Sequence, residues 1–272
     1  MQKFAARISY LGGRYCGWQK QSGSASGGDP SIQACFEQVL ASIVNEPASV
    51  VASGRTDAGV HASGQVVHFV LRQREWTAEV LRRALNSRLP PSIRVLLVQP
   101  VSLEFHAQRS AQKKQYSYYF QQGAASHAPV EPVSWWIHRR LDLEAMREAV
   151  RDLKGVHDFL PFQARGAVVK STVREIVEAE IEWLPMPMAY PGAWVLPGHS
   201  GDFGFVRVRL VGTGFLKQMV RGIAGTLLEI GEGRRAPSSI REILQSQDRR
   251  LVGPTAPARA LWLEQVWYEE FR

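Results

Sequence analysis

Two stretches of this chain alternate apolar and charged residues with a period of two. Val177, Ala179, Ile181 and Trp183 interleave with Glu178, Glu180 and Glu182, while Val206, Val208 and Leu210 interleave with Arg207 and Arg209. Successive side chains of a strand point to opposite faces, so this spacing specifies strands with one buried and one wet face. All-parallel sheets are covered on both faces and need near-continuous apolar runs instead. The alternation therefore argues against a doubly wound parallel sheet.

The rest of the chain supplies helices between strands. Lys3–Tyr10, Ile93–Val98, Gln115–Gln121 and Leu261–Tyr268 read as further strands. Asp29 as N-cap, with Pro30 at the first helical position, predicts a helix that buries Ile32, Phe36, Val39, Leu40 and Ile43 and runs through Asn45. Thr77 caps a second helix, with Val80, Leu81, Ala84 and Leu85 facing inward. Asp142 caps a third, running to Lys154, where Gly155 is placed to end it. Phe215–Ile230 is a fourth, stopped at Gly231. Ser22–Gly28 reads as a flexible loop and residues 185–201, rich in Pro and Gly, as a surface insertion. Strand pairs separated by single helices favour an α+β fold over a doubly wound one. No strong internal repeat is present.

At 272 residues the chain can form one large domain or two half-size ones. Its 33 basic and 25 acidic residues leave a net charge of +8, which suits a polyanionic partner such as nucleic acid. Cys16 and Cys35 form neither a zinc pattern nor a disulfide framework, and two unpaired thiols in a reducing compartment is the simpler reading. No signal core and no run of eighteen apolar residues is visible, so a soluble, cytoplasmic protein is expected.

Chemistry concentrates in one loop. Ser49–Ala52 and Gln65–Leu71 read as strands, and between them lies Ser-Gly-Arg-Thr-Asp-Ala-Gly-Val-His-Ala-Ser-Gly, residues 53–64. Glycine at this density permits unusual backbone angles and close approach of another molecule. Asp57 offers a carboxylate at a sheet edge, with Arg55 two residues away to favour its charged form. Pattern alone also admits an Asx-turn, in which Asp57 does no more than bond its own backbone.

The wording of this loop, Gly54 to Ala62 followed by Gly64–Phe69, closely resembles the catalytic loop of the tRNA pseudouridine synthase A family. The resemblance continues in order through Tyr15–Gln21, Leu85–Pro90, Phe105–Ala107, the tyrosines at 116–119, Phe215–Arg221 and Gly222–Gly231. It implies two similar α/β halves, residues 1–110 and 111–272, with a joined, mixed, mainly antiparallel sheet and a central cleft. It implies isomerisation of uridine to pseudouridine in the tRNA anticodon stem-loop, at tRNA positions 38, 39 and 40, by a homodimer. The reaction is redox-neutral and needs no group donor, and no cofactor or metal is expected.

The resemblance also implies residue roles. Asp57 matches the catalytic aspartate; attack at C1′, attack at C6 and a route through a glycal all stay open. Arg221 matches the basic partner of that aspartate, though as residues alone it reads equally as a helix-surface arginine. Tyr116 matches the active-site tyrosine that stacks on the loosened uracil and exchanges a proton at C5; by period two Tyr118 shares its face. Arg55 matches an arginine that helps extrude the nucleotide, or else simply grips phosphate. Arg14, Lys20, Arg109, Lys113 and Lys114 are candidates for the RNA backbone, with Arg72, Arg74, Arg82, Arg83, Arg139 and Arg140 behind them. His61 and His68 read as structural. Three positions depart from the family pattern: Leu11 for a usual aspartate, Gln108-Arg109 for Arg-Phe, and Gln115 before the tyrosine.

Overall fold

The structure is a computed structural model, and it describes residues 1–20, 29–185 and 203–272. The Ser22–Gly28 loop and residues 186–201 of the expected insertion lie outside the described residues. In chain order the first elements are β1 (Gln2–Tyr10), α1 (Ile32–Val44), β2 (Val51–Ala52), β3 (His61–Leu71), α2 (Ala78–Arg88) and β4 (Ile93–Pro100). They are followed by β5 (Lys113–Gln122), β6 (Trp135–Ile137), α3 (Leu143–Arg151), β7 (Gly155–Asp158) and β8 (Val173–Pro185). The chain ends with β9 (Gly204–Gly212), α4 (Met219–Gly231), α5 (Ser239–Ser246) and β10 (Leu261–Trp267). Antiparallel pairs dominate among the described residues, with β3–β10 and β5–β6 parallel, so the fold is α+β.

Two compact units emerge. One comprises Met1–Lys114 with Trp262–Arg272; the other comprises Gln115–Leu261. Most of the last strand, assigned to the second half by sequence, thus belongs with the first unit. In that unit the strand order is β4-β1-β3-β10, with β2 also on β3. Helices α1 and α2 pack Ile32, Phe36, Leu40, Leu81 and Leu85 inward, each fully buried, whereas Val80, expected on the inward face of α2, is exposed. Gly64 is required where β3 meets β10, because a Cβ there would sit 2.1 Å from the Glu264 carbonyl oxygen.

The second unit orders its strands β5-β9-β8-β7, with β6 on β5. The alternation in β9 is realised as expected, with Val206, Val208 and Leu210 buried. On the opposite face Arg209 pairs with Glu178 at 2.6 Å and Glu180 at 3.0 Å, and Arg207 pairs with Glu182. In β8 the pattern breaks at Val177. A register shift between Ile176 and Glu178 turns Ile176 inward instead, alongside Ala179 and Ile181.

Helix boundaries move in three helices. Ser31, not Asp29, caps α1 by accepting from the Ala34 N–H at 3.1 Å. Helix α3 ends at Arg151, three residues early, and Gly155 opens β7 with φ +106°. Helix α4 begins at Met219 because Gln218 adopts a left-handed φ of +61° and the Lys217 carbonyl is taken by Ala164 N–H at 2.9 Å. It then runs through Gly231 rather than stopping before it.

Candidate active site

The Asp57 loop rests on a buried polar platform in the first unit. Gln65 on β3 is fully buried. Its amide donates to the Gly54 carbonyl at 2.9 Å and to the Tyr10 oxygen at 3.4 Å, while its own carbonyl accepts from Ser53 Oγ at 2.6 Å. Tyr10 and Thr56 share a buried hydroxyl–hydroxyl hydrogen bond of 2.8 Å. Burial pushes the Tyr10 phenol up to about 12, so it stays neutral in the working range. These bonds fix the N-terminal shoulder of the loop to β1 and β3. The turn itself closes through Val60 N–H to the Asp57 carbonyl at 3.1 Å, with Gly59 at φ +80°.

A second segment braces the loop from outside. Trp18 N–H donates to the Thr56 carbonyl at 3.0 Å, and Gly17, at φ +104°, lies flat against the turn. A Cβ on Gly17 would meet Thr56 O at 2.9 Å, Ala58 N at 3.0 Å and the Asp57 carbonyl carbon at 3.2 Å. A Cβ on Gly12 would lie 2.0 Å from Val60 O. The Tyr15–Gln21 motif is thus the outer wall of the Asp57 turn as far as Lys20. It is itself held to α1 by Ile32 N–H to Gly17 O at 3.1 Å and Gln33 N–H to Trp18 O at 3.0 Å. Asp57 is left half-buried and Arg55 exposed.

Both histidines near the loop accept main-chain hydrogen bonds. His61 Nδ1 takes Gly12 N–H at 3.0 Å, and its ring stacks on Trp262 at 4.6 Å. His68 Nδ1 takes Ala107 N–H at 3.1 Å, which docks the Phe105–Ala107 motif onto β3. Burial, then the charges of Lys3, His106 and Arg109, lower the His68 pKa to about 4, so the ring is neutral. Among the described residues no group of three His, Cys, Asp or Glu side chains is placed to hold a metal ion. No helix among them is long and apolar enough to cross a membrane.

The second unit holds the other two candidates. Tyr116 on β5 is buried and meets Phe215 edge to face, ring centroids 4.9 Å apart. Arg221 stands in the first turn and a half of α4, half-buried, with Nε donating to the Ala256 carbonyl at 2.7 Å. Phe215, read as helical from sequence, instead lies in the irregular segment before α4 and meets Tyr116 there.

The basic candidates divide by what they touch. Lys114 donates to the Ser53 carbonyl at 2.7 Å and so buttresses the Asp57 loop. Lys113 lies 5.9 Å from the Trp267 ring centre, and Lys20 lies 3.9 Å from Glu37. Arg82 pairs with Glu79 at 2.8 Å, and the Arg74 guanidinium covers Trp76 at 3.7 Å. Arg14, Arg55, Arg72, Arg83, Arg109, Arg139 and Arg140 are exposed.

Comparison with known proteins bears on what this arrangement does. The tRNA pseudouridine synthase family matches residues 6–108 and 149–269. The chain belongs to that family. It is 38% identical to a tRNA pseudouridine synthase A of Geobacillus kaustophilus over 274 residues, spanning 99% of this chain and 95% of the relative. It is 38% identical to one of Myxococcus xanthus, covering 99% and 93%, and 37% identical to one of Exiguobacterium sp., covering 99% of both. The protein is accordingly an isomerase that converts uridine to pseudouridine in tRNA. Seen as such a synthase, the residues that sequence reasoning left without a role are Ser53, Thr56, Tyr10 and Gln65. Their signal was a glutamine in an otherwise apolar strand run, Gln65-Val66-Val67, where burial demands a partner for every polar atom.

Proposed function

We propose that this synthase modifies uridines of the anticodon stem-loop, at tRNA positions 38, 39 and 40, with Asp57 as the catalytic carboxylate. The observation that carries this reading is the Asp57 turn. Its N-terminal flank is fixed by the Gln65 and Tyr10–Thr56 bonds, and glycine is the only residue type that fits against it at position 17. A reacting group gains from being held before substrate arrives, because reorganisation during the reaction is then avoided.

In this reading the N1–C1′ bond of uridine breaks, the base turns, and a C5–C1′ bond forms. The proton on C5 leaves and N1 regains one, so atoms balance without an outside reagent. Asp57 supplies a carboxylate at the ribose or the uracil. Arg221 is its cationic partner, and an Arg beside a carboxylate lowers its pKa by about 1–3 units. Tyr116 holds the detached base with its ring and takes part in proton exchange at C5. Arg55 works at the extruded nucleotide. Arg14, Lys20, Arg109, Lys113 and Lys114 lie in the basic surface that takes the RNA backbone. The enzyme acts as a cytoplasmic homodimer in which one tRNA touches both subunits.

The test is pseudouridine mapping on tRNA incubated with the purified protein and with Asp57→Asn. Expected is modification at positions 38, 39 and 40 by the wild type and none by the variant, with tRNA affinity retained. Turnover near wild type in Asp57→Asn, or modification confined to other uridines, refutes the reading.

A further inference from the structure

Arg221 is held by a segment that has no part in the reaction as described. Val252–Pro257 forms a strap over α4. Gly253 N–H donates to Thr226 Oγ1 at 3.0 Å, and Thr226 Oγ1 donates to the Gly222 carbonyl at 2.9 Å. Ala256 N–H donates to the Arg221 carbonyl at 3.1 Å, and Arg221 Nε donates back to the Ala256 carbonyl at 2.7 Å. One residue of the strap therefore grips Arg221 at both its main chain and its guanidinium. The fit is close. A Cβ on Gly225 would lie 1.7 Å from the Pro254 carbonyl oxygen, and one on Gly253 would lie 2.8 Å from Thr226 Cα.

The far end of the strap is tied to β5. Tyr118, fully buried, donates its phenol to the Pro257 carbonyl at 2.9 Å. Burial raises the pKa of this phenol well above its usual value, against the opposing fields of Arg221 and Arg259, so the hydroxyl remains a donor. Arg259, just beyond, donates to the Ser134 carbonyl at 3.2 Å. The strap is thus anchored at Thr226 on one side and at Tyr118 on the other, with the Arg221 grip between.

We propose that Tyr118 is a positioning residue for Arg221, acting through the strap: its phenol fixes Pro257, and the neighbouring Ala256 carbonyl orients the guanidinium. This rests on the reading of Arg221 as the partner of Asp57. It assigns the two tyrosines of one β5 face different work, Tyr116 toward the base and Tyr118 toward the arginine. An orienting carbonyl matters because guanidinium is a planar fork whose use depends on its angle as well as its charge.

The test is a double-mutant cycle on the full-length enzyme, read by single-turnover pseudouridine formation on tRNA and, separately, by tRNA binding. The variants are Tyr118→Phe, Arg221→Lys and the pair. Expected for Tyr118→Phe is a loss of about tenfold in rate, the scale of one buried hydrogen bond, with tRNA affinity unchanged. In the Arg221→Lys background, which has no Nε for the Ala256 carbonyl to hold, the same substitution should change the rate by less than about twofold. A purely structural role predicts an equal loss in both backgrounds, and that result overturns the proposal. So does a wild-type rate in Tyr118→Phe. Thr226→Val provides a second route, since it releases the other anchor without touching β5. It should show the same dependence on Arg221, and an effect independent of Arg221 counts against the strap. Failure of the underlying reading would appear separately, as isomerisation by Asp57→Asn.

Discussion

Gly17→Ala isolates the contribution of loop geometry from that of the catalytic groups, because it adds one methyl and removes no hydrogen bond. The backbone at Gly17 has φ +104°, which an L-residue with a Cβ adopts only under strain. Holding a non-glycine residue in such a region costs about 1–3 kcal/mol. The new carbon also meets three main-chain atoms of the Asp57 turn, at 2.9, 3.0 and 3.2 Å, and none of them belongs to a side chain that can swing away. Strain and overlap together come to about 3 kcal/mol, against a domain stability of about 5–15 kcal/mol, so the variant should fold. The easiest relief is for the turn to shift away from Gly17, and it carries Asp57 with it. On the proposed reading of Asp57 as the catalytic carboxylate, a misplacement of about 1 Å is enough to cost about 100-fold in rate.

Urea unfolding and single-turnover pseudouridine formation on one tRNA measure the two effects in the same preparation. Expected are a lower urea midpoint, a rate reduced by about 100-fold, and tRNA affinity near wild type. Gly13→Ala is the matched control, four residues upstream, where an added Cβ meets nothing within 4 Å. It should leave stability within about 0.5 kcal/mol of the parent and the rate unchanged. Wild-type stability and rate in Gly17→Ala would refute the argument that this glycine moulds the turn. Equal losses in Gly13→Ala would show that the whole segment is sensitive for another reason.

Three further outcomes are expected. tRNA affinity should fall steeply with salt, since each neutralised phosphate of a single strand contributes about −0.7 to the slope of log K against log salt, and a flat titration would deny the basic surface its role. Stability should be full above pH 6.5 and decline towards pH 4, because His68 is held neutral with a pKa of about 4 when folded and takes up a proton at its ordinary pKa when unfolded. His68→Asn, followed by urea unfolding at several pH values, should flatten that decline, and an unchanged profile would assign it elsewhere. Gln65→Leu should destabilise by roughly 2–4 kcal/mol, because the Gly54 carbonyl and the Ser53 hydroxyl lose a buried partner, and a near-neutral result would mean that other groups or water satisfy them.

The α+β class was legible because periodicity is local. Val206, Val208 and Leu210 sit on one face of β9 whatever their neighbours do. Helix caps with a side-chain signature were legible for the same reason, as at Thr77 and Asp142, which both accept from the first turn of their helices. Apart from the α1 cap, which sits at Ser31 two residues beyond the expected Asp29, misreadings fell where a distant residue decides. Nothing local to Phe215–Gln218 says that Ala164 will take the Lys217 carbonyl, or that Gln218 will turn left-handed and delay α4 to Met219. Likewise the bulge at Val177 answers to the partner strand β9, not to β8 alone.

The candidate site divides in the same way. Asp57, Tyr116 and Arg221 stood out through motifs whose residues are adjacent in sequence. Their supports did not, because each joins segments far apart: Tyr10 to Thr56, Gln65 to Gly54, Lys114 to Ser53, Ala256 to Arg221. Glycines were the one long-range feature that sequence displayed without explaining. Gly12, Gly17, Gly64 and Gly225 each mark a place where another segment's backbone comes closer than a Cβ allows. Two of the four, Gly12 and Gly17, bear on the Asp57 turn, and Gly225 seats the strap that grips Arg221. Close backbone approach fixes position more rigidly than side-chain contact, since main-chain atoms have no rotamers to relax into. On the proposed reading of Asp57 and Arg221, the synthase gains from fixing both in this manner. On this argument, glycine substitutions at those three positions should reduce the rate of isomerisation by more than they reduce the affinity for tRNA.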